Sequence, residues 1–200
     1  MAATVAEYMR FEGEPTKGSR FIATVTPVGD EAVAKEVLQT VRNEMPDAGH
    51  HCWAWRLAKP AIDRASDDGE PSGSAGKPIL SQLVGRDLVD TALIVSRYWG
   101  GTKLGVGGLV RAYGGAAAAV LDRVQLLPWV ARIAASIRHD HSDTDSVMRT
   151  MKSVGAIDVD VGYGSHVNRL IEVPDTGVEA LRVAIADATS GRAEVHAEFE

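Results

Sequence analysis

The rhythm of residues 130–199 narrows the possible folds more than any other feature of the chain. Residues 130–139 read as a strand, and residues 144–153 have helical spacing begun by Ser142 or Asp143. Residues 157–163 and 167–173 read as two more strands joined by Gly164-Ser165. A helix over 178–189, closed by Gly191, and a last strand over 193–199 complete the order βαββαβ. That order is the ferredoxin-like pattern.

Pro128 marks a boundary, so the expected division is 1–127 and 128–200. Before it the periodicity changes repeatedly. Residues 20–26 are β-branched and aromatic and predict a strand ended by Pro27. Asp30 can cap a helix running to Met45, with Val33, Ala34, Val37, Leu38 and Val41 on its apolar stripe and Pro46 as the stop. Residues 51–57 predict a strand with Trp53, Trp55 and Leu57 on one face. A long polar loop is expected over 58–78, a short helix over 79–84 and a buried strand over 91–96. A glycine-rich loop over 98–108 and an alanine-dense helix over 109–124 follow. The fold class is therefore α+β.

Composition excludes several classes. At 200 residues, 45 % hydrophobic and 24 % charged, the chain can bury a core without staples. Its single cysteine, Cys52, forbids an internal disulfide and points to a reducing compartment. Residues 1–13 have no long apolar run, and no segment approaches the roughly 18 apolar residues of a membrane helix. The expectation is a cytoplasmic protein without a membrane partner. A net charge of −6 argues against general nucleic-acid binding, so any anion site must be a local basic patch.

One patch fits. Residues 97–113 hold Arg97, Lys103 and Arg111 and no acid, a local charge of +3, interleaved with Tyr98, Trp99 and Tyr113. Gly100, Gly101, Gly105, Gly107 and Gly108 let the backbone turn tightly and approach a ligand. The loop empties into a helix, whose first N–H groups favour anions. The phosphate-loop pattern fails, because Gly101-Thr102-Lys103-Leu104 reverses the needed order. The dinucleotide pattern from Gly105 fails at Val110. The same glycines would also serve close packing and sharp turns.

Three other clusters are weaker. Asp67, Asp68 and Glu70 are candidates for a hard cation, and Ser72 and Ser74 for nucleophiles, but the same residues make an ordinary solvated turn. In His50-His51-Cys52, His50 and Cys52 share a strand face while His51 opposes them. There is no zinc spacing, and Cys52 would need a base to act as a nucleophile. His139-Asp-His-Ser-Asp143 lacks the final histidine of a metallo-hydrolase string and reads as a strand end and helix cap.

Taken in order, three blocks resemble the YigZ/IMPACT family. They are Ala48-Gly-His-His-Cys52, Asp67-Asp-Gly-Glu-Pro-Ser-Gly-Ser-Ala-Gly-Lys-Pro-Ile-Leu80 and Arg97-Tyr-Trp-Gly-Gly-Thr-Lys-Leu-Gly-Val-Gly-Gly-Leu-Val-Arg-Ala-Tyr113. Ser19-Arg-Phe-Ile-Ala23 fits the family's opening strand, and Trp99 stands where phenylalanine is usual. The resemblance spans about residues 15–125, and the tail looks like the ferredoxin-like domain of bacterial members. It implies a first domain with the fold of the fourth domain of elongation factor G, and eukaryotic relatives that act in translational control. Partners expected on that basis are RNA, the ribosome or a translation-associated protein, met through Arg97, Tyr98, Lys103, Arg111 and Lys77. The motif loops contribute His50, His51, Asp67, Asp68, Glu70, Ser72 and the five glycines. No catalytic residue, metal or cofactor is assigned. The rival readings are a hydrolase or phosphotransferase acting on a small anion, with or without a divalent cation, and a protein-binding regulator.

Overall fold

A computed structural model of the chain describes residues 2–197. The chain divides into two compact units, Met1–Trp129 and Val130–Glu200. The division falls after Trp129 rather than after residue 127. The reason is local: the Trp129 amide donates to the Ala2 carbonyl and its indole N–H to the Asp90 carboxylate, tying it to the first unit.

The first unit runs β1 (Ala3–Val5), β2 (Met9–Glu12), β3 (Arg20–Pro27), α1 (Glu31–Glu44), β4 (His50–Leu57), β5 (Ile62–Ser66), α2 (Gly76–Gly85), β6 (Thr91–Tyr98), α3 (Val106–Leu121) and β7 (Leu126–Pro128). Five strands form an antiparallel sheet in the order β2-β3-β6-β4-β5, and β1 pairs with β7. β3 and β6 are buried almost throughout because helices cover both faces of the sheet. Phe21, Ala23, Val25, Leu93 and Val95 pack against Ile79 and Leu83 of α2 and Leu109, Tyr113, Ala117 and Val120 of α3. Their neighbours Ile22, Ala92 and Ile94 face Ala34, Leu38 and Val41 of α1, as strand alternation requires. Trp53 and Trp55 stack on that second side with ring centroids 3.7 Å apart. Asp30 caps α1 through the Val33 amide.

Several expectations change. The polar stretch 58–78 is interrupted by β5, which pairs with β4 from Trp53↔Ser66 to Leu57↔Ile62. α2 starts at Gly76, so Pro78 lies in its first turn, where a missing N–H costs nothing. β6 extends to Tyr98, placing Arg97 and Tyr98 on a strand rather than in the loop. α3 begins at Val106, so Gly107 and Gly108 are helical.

The second unit runs β8 (Arg132–His139), α4 (Thr144–Ser153), β9 (Ile157–Tyr163), β10 (Val167–Pro174), α5 (Val178–Thr189) and β11 (Glu194–Ala197), with the sheet order β11-β8-β10-β9. The strand expected over 193–199 is described to Ala197, and residues 198–200 lie outside the described residues. Alternate residues of β10 (Val167, Arg169, Ile171 and Val173) are buried, and a core of Ile137, Val147, Met151, Leu181 and Ile185 forms beneath α4 and α5. Asp143 precedes α4, but its carboxylate binds Arg192 at 2.6 Å instead of capping the helix. His139 is buried, with Nε2 accepting from Arg169 Nε at 3.1 Å and Nδ1 facing the Asp140 carbonyl. Structural partners thus absorb this histidine–aspartate string. No helix among the described residues is long and apolar enough to cross a bilayer.

Candidate anion-binding groove

The loop between β5 and α2 is organised by its own acids. Asp67 accepts from the amides of Gly73, Ala75 and Gly76 at 2.7, 2.9 and 2.8 Å. Burial pushes its carboxyl up, but those three amides, with Lys77 nearby, outweigh it and hold Asp67 below its ordinary value. Asp68 binds Arg42 and the His51 amide, each at 2.7 Å. Glu70 Oε1 accepts from Arg97 at 2.6 Å and from the Tyr113 hydroxyl at 2.8 Å. The three carboxylates therefore serve three separate sets of donors and do not converge on a cation. Among the described residues no cluster of three His, Cys, Asp or Glu side chains is placed to hold a metal.

The candidate nucleophiles are similarly occupied. The Ser74 hydroxyl is buried and donates to the Pro71 carbonyl at 2.6 Å, while Ser72 is exposed on the loop. The Cys52 thiol donates to the Asp67 carbonyl at 3.0 Å, and burial pushes its pKa up to about 12. It is a poor source of thiolate. His51 is buried against the Ser96 hydroxyl at 2.8 Å, and burial lowers its pKa, so it sits neutral in the core.

The local charge of +3 counted along residues 97–113 is reduced by folding. Arg97 pairs with Glu70, and the two side chains are 9 % and 4 % exposed. Arg97 also stacks near the Phe21 ring and lies 3.4 Å from the Ser19 hydroxyl, while its Nε has no hydrogen-bond partner. The partner acid lies outside the basic segment, which is why a count along the chain missed it. Tyr98 is half-buried with Arg20 over its ring. Lys77 is exposed in the first turn of α2, beside the Asp67 loop.

Gly100 is where the second loop meets the start of β3. A Cβ there would sit 1.9 Å from the Gly18 carbonyl carbon and 2.2 Å from the Ser19 nitrogen. The Ser19 hydroxyl accepts from the Gly100 amide at 3.1 Å and fixes the approach. The chain then turns through Gly105, whose φ of 71° favours glycine, into α3. Among the described residues no side chain caps α3, and its first turn holds no acid.

These parts surround a groove of about 350 Å³. β4 contributes His50, the first loop Glu70 and Pro71, β6 Arg97, the second loop Trp99, Lys103 and Gly105, and α3 Val106. The His50 ring is oriented by its Nδ1, which lies 2.8 Å from the Asp68 carbonyl. A second hollow of about 180 Å³ holds Lys17, Gly108 and Arg111 and shares Leu104 with the first. Of the residues singled out in the sequence, His50, Glu70, Arg97, Lys103 and Gly105 line the groove, and Gly108 and Arg111 line the adjoining hollow. His51, Asp67, Asp68, Ser72, Lys77, Tyr98, Gly100, Gly101 and Gly107 line neither. Lys17 and Trp99 were not among the expected site residues. Lys17 arrives because β3 pairs with β6 in the register Arg20↔Tyr98, a long-range fact no local pattern carries.

The Impact N-terminal domain family matches residues 17–121, just over half the chain and the segment that supplies nearly all of the residues lining both hollows. The chain belongs to the IMPACT family. An IMPACT family member of Haemophilus influenzae is 32 % identical over 182 residues, covering 90 % of this chain and 88 % of the relative. The IMPACT family member YvyE of Bacillus subtilis is 32 % identical over 181 residues, 88 % and 82 % of the two chains. The IMPACT family member YigZ of Escherichia coli is 48 % identical over 105 residues, about half of each chain. A solved structure described as "Crystal structure of an hypothetical protein" superposes with a TM-score of 0.71 at 30 % identity, covering 100 % of this chain and 98 % of that one. The likeness to two of these IMPACT relatives and to that structure thus extends well beyond the N-terminal domain into the second unit.

Proposed function

We propose that this IMPACT-family chain is a binding module, not an enzyme, and that it holds single-stranded RNA on a ribosome or a translation-associated particle. The observation that carries the reading is the juxtaposition of the two hollows. They combine the exposed cations Lys17, Lys103 and Arg111, which form no ion pair among the described residues, with an uncapped helix start and a Trp99 that is 67 % exposed. Cations track a phosphate backbone, and an exposed indole offers a base a stacking surface. Against catalysis stand the three loop carboxylates, each engaged by donors, and a thiol held protonated.

The reading requires association with RNA in the cell. A lysate gradient, run with and without nuclease at low salt, should show the protein moving with ribosomal particles. Lys103→Ala and Arg111→Ala should return it to the top fractions. Migration at the top for the unmodified protein would contradict stable association. Co-migration that survives nuclease and both substitutions would instead favour a protein partner.

A further inference from the structure

We propose that the groove is a guanine site, in which one unpaired guanine of a single-stranded RNA stacks on Trp99 and donates its N1–H and its N2 amino group to Glu70 and His50. The inference rests on the RNA-binding reading and specifies which base the groove takes.

Two acceptors in the lining carry the inference. Glu70 lines the groove with its side chain only 4 % exposed. Its Oε1 takes both Arg97 and Tyr113, while its Oε2 takes no hydrogen bond among the described residues. Unlike the Arg97 Nε, this oxygen is not sealed from solvent. A carboxylate oxygen so deeply placed and without a partner calls for a donor. His50 supplies the second acceptor. Its Nδ1 lies 2.8 Å from the Asp68 carbonyl. A carbonyl only accepts, so in the neutral ring Nδ1 carries the proton and Nε2 keeps a lone pair. That Nε2 has no hydrogen-bond partner among the described residues, and His50 lines the same groove. The ring also sits beside the residue that precedes Glu70: a Cβ on Gly69 would lie 3.4 Å from the His50 Cε1 and Nδ1.

The choice of guanine follows from charge and from the order of donors. Arg97 already balances Glu70, so this part of the lining is polar without net charge, and Lys103 disfavours a cation. A neutral group with two adjacent donors meets both conditions. Among the four bases of RNA, guanine alone places two donors side by side on its pairing edge. Adenine and cytosine offer one donor beside an acceptor, and uracil offers one donor between two acceptors. The guanine O6, next to N1–H, is an acceptor for Lys103. Unpaired bases are read in this way, by stacking on an aromatic side chain and by hydrogen bonds along the pairing edge. Trp99, 67 % exposed, supplies the ring, and Pro71 and Leu104 add apolar surface. The groove volume of about 350 Å³ lies at the lower end of small-ligand pockets, the scale of one base.

The test uses four unstructured oligoribonucleotides, uridine tracts that differ only in one central guanosine, inosine, adenosine or cytidine, by fluorescence anisotropy on the full chain. The guanosine RNA should bind about ten- to a hundredfold tighter than the adenosine RNA, the worth of two hydrogen bonds of which one meets a charged group. Inosine, which keeps N1–H but lacks the N2 amino group, should fall between them. His50→Phe removes one acceptor and should narrow the preference for guanosine over adenosine, with a thermal melt to show that the variant is folded. Should it not fold, the inosine comparison on the unmodified chain decides alone. Equal affinity for all four RNAs, or a preference for another base, would overturn the proposal and leave the RNA reading standing. If no RNA binds, the RNA reading falls, and guanosine monophosphate against adenosine monophosphate decides the groove. A shift of the Trp99 indole N–H resonance with the guanosine nucleotide alone would keep the guanine site, and its absence would overturn it.

Discussion

Glu70 ties its loop to a strand and a helix. One of its oxygens takes both the Arg97 guanidinium and the Tyr113 hydroxyl, so it fixes β6 and α3 against the 67–76 loop. Removing one member of a buried pair leaves the other charge uncompensated, at a cost of about 3–5 kcal/mol. Glu70→Gln should lower stability by about that much in denaturant unfolding, and an unchanged midpoint would contradict the role. Asp67 gives a prediction in acid. Its folded value is held below the ordinary carboxylate range, so the unfolded chain binds the proton first. Its contribution is present above about pH 4 and is lost as pH falls through the folded value. Unfolding followed from pH 6 to pH 2 should show that loss, and Asp67→Asn should flatten part of the slope. His51 is lowered by burial, so it adds a separate decline at higher pH, beginning below about 6.5 as the unfolded imidazole charges. At Gly100, backbone atoms of Gly18 and Ser19 occupy the space of a side chain. Gly100→Ala should cost about 3 kcal/mol or more, because no flexible side chain can move aside.

Elements differ in how far the sequence reveals them. In the second unit the helices over 144–153 and 178–189 and the strand over 157–163 are read with the bounds they have, because alternation and helical spacing there are local and uninterrupted. β5 was hidden: the run from Ile62 to Ser66 buries no residue fully, and its strand character comes from its register with β4. β1 and β7 are three residues each and pair across most of the first unit, which no window along the chain detects. The start of α3 was misplaced because glycines in a first turn look like loop. In space, Gly105 supplies the turn, and Gly107 and Gly108 follow as helix. The groove was therefore half legible. Its basic and aromatic residues stood out, but the pairing of Arg97 with Glu70 and the arrival of Lys17 depend on strand register.

For the molecule as a whole, the acidic net charge and the basic hollows make opposite demands. A chain with a formal charge of −6 repels a polyanion at long range, so RNA affinity must come from a few close ion pairs with phosphate and fall steeply with salt. Lys17, Lys103 and Arg111 are the cations that supply those pairs if the RNA reading is right. The direct measurement is the dissociation constant for an unstructured RNA across a range of salt concentrations, for the unmodified chain and for the variant with all three changed to alanine. Binding should weaken with salt, and the log–log slope should be shallower by about two units in the variant, close to 0.7 for each phosphate left unneutralised on a single strand. An identical slope and affinity in the two proteins would contradict the role of these three cations.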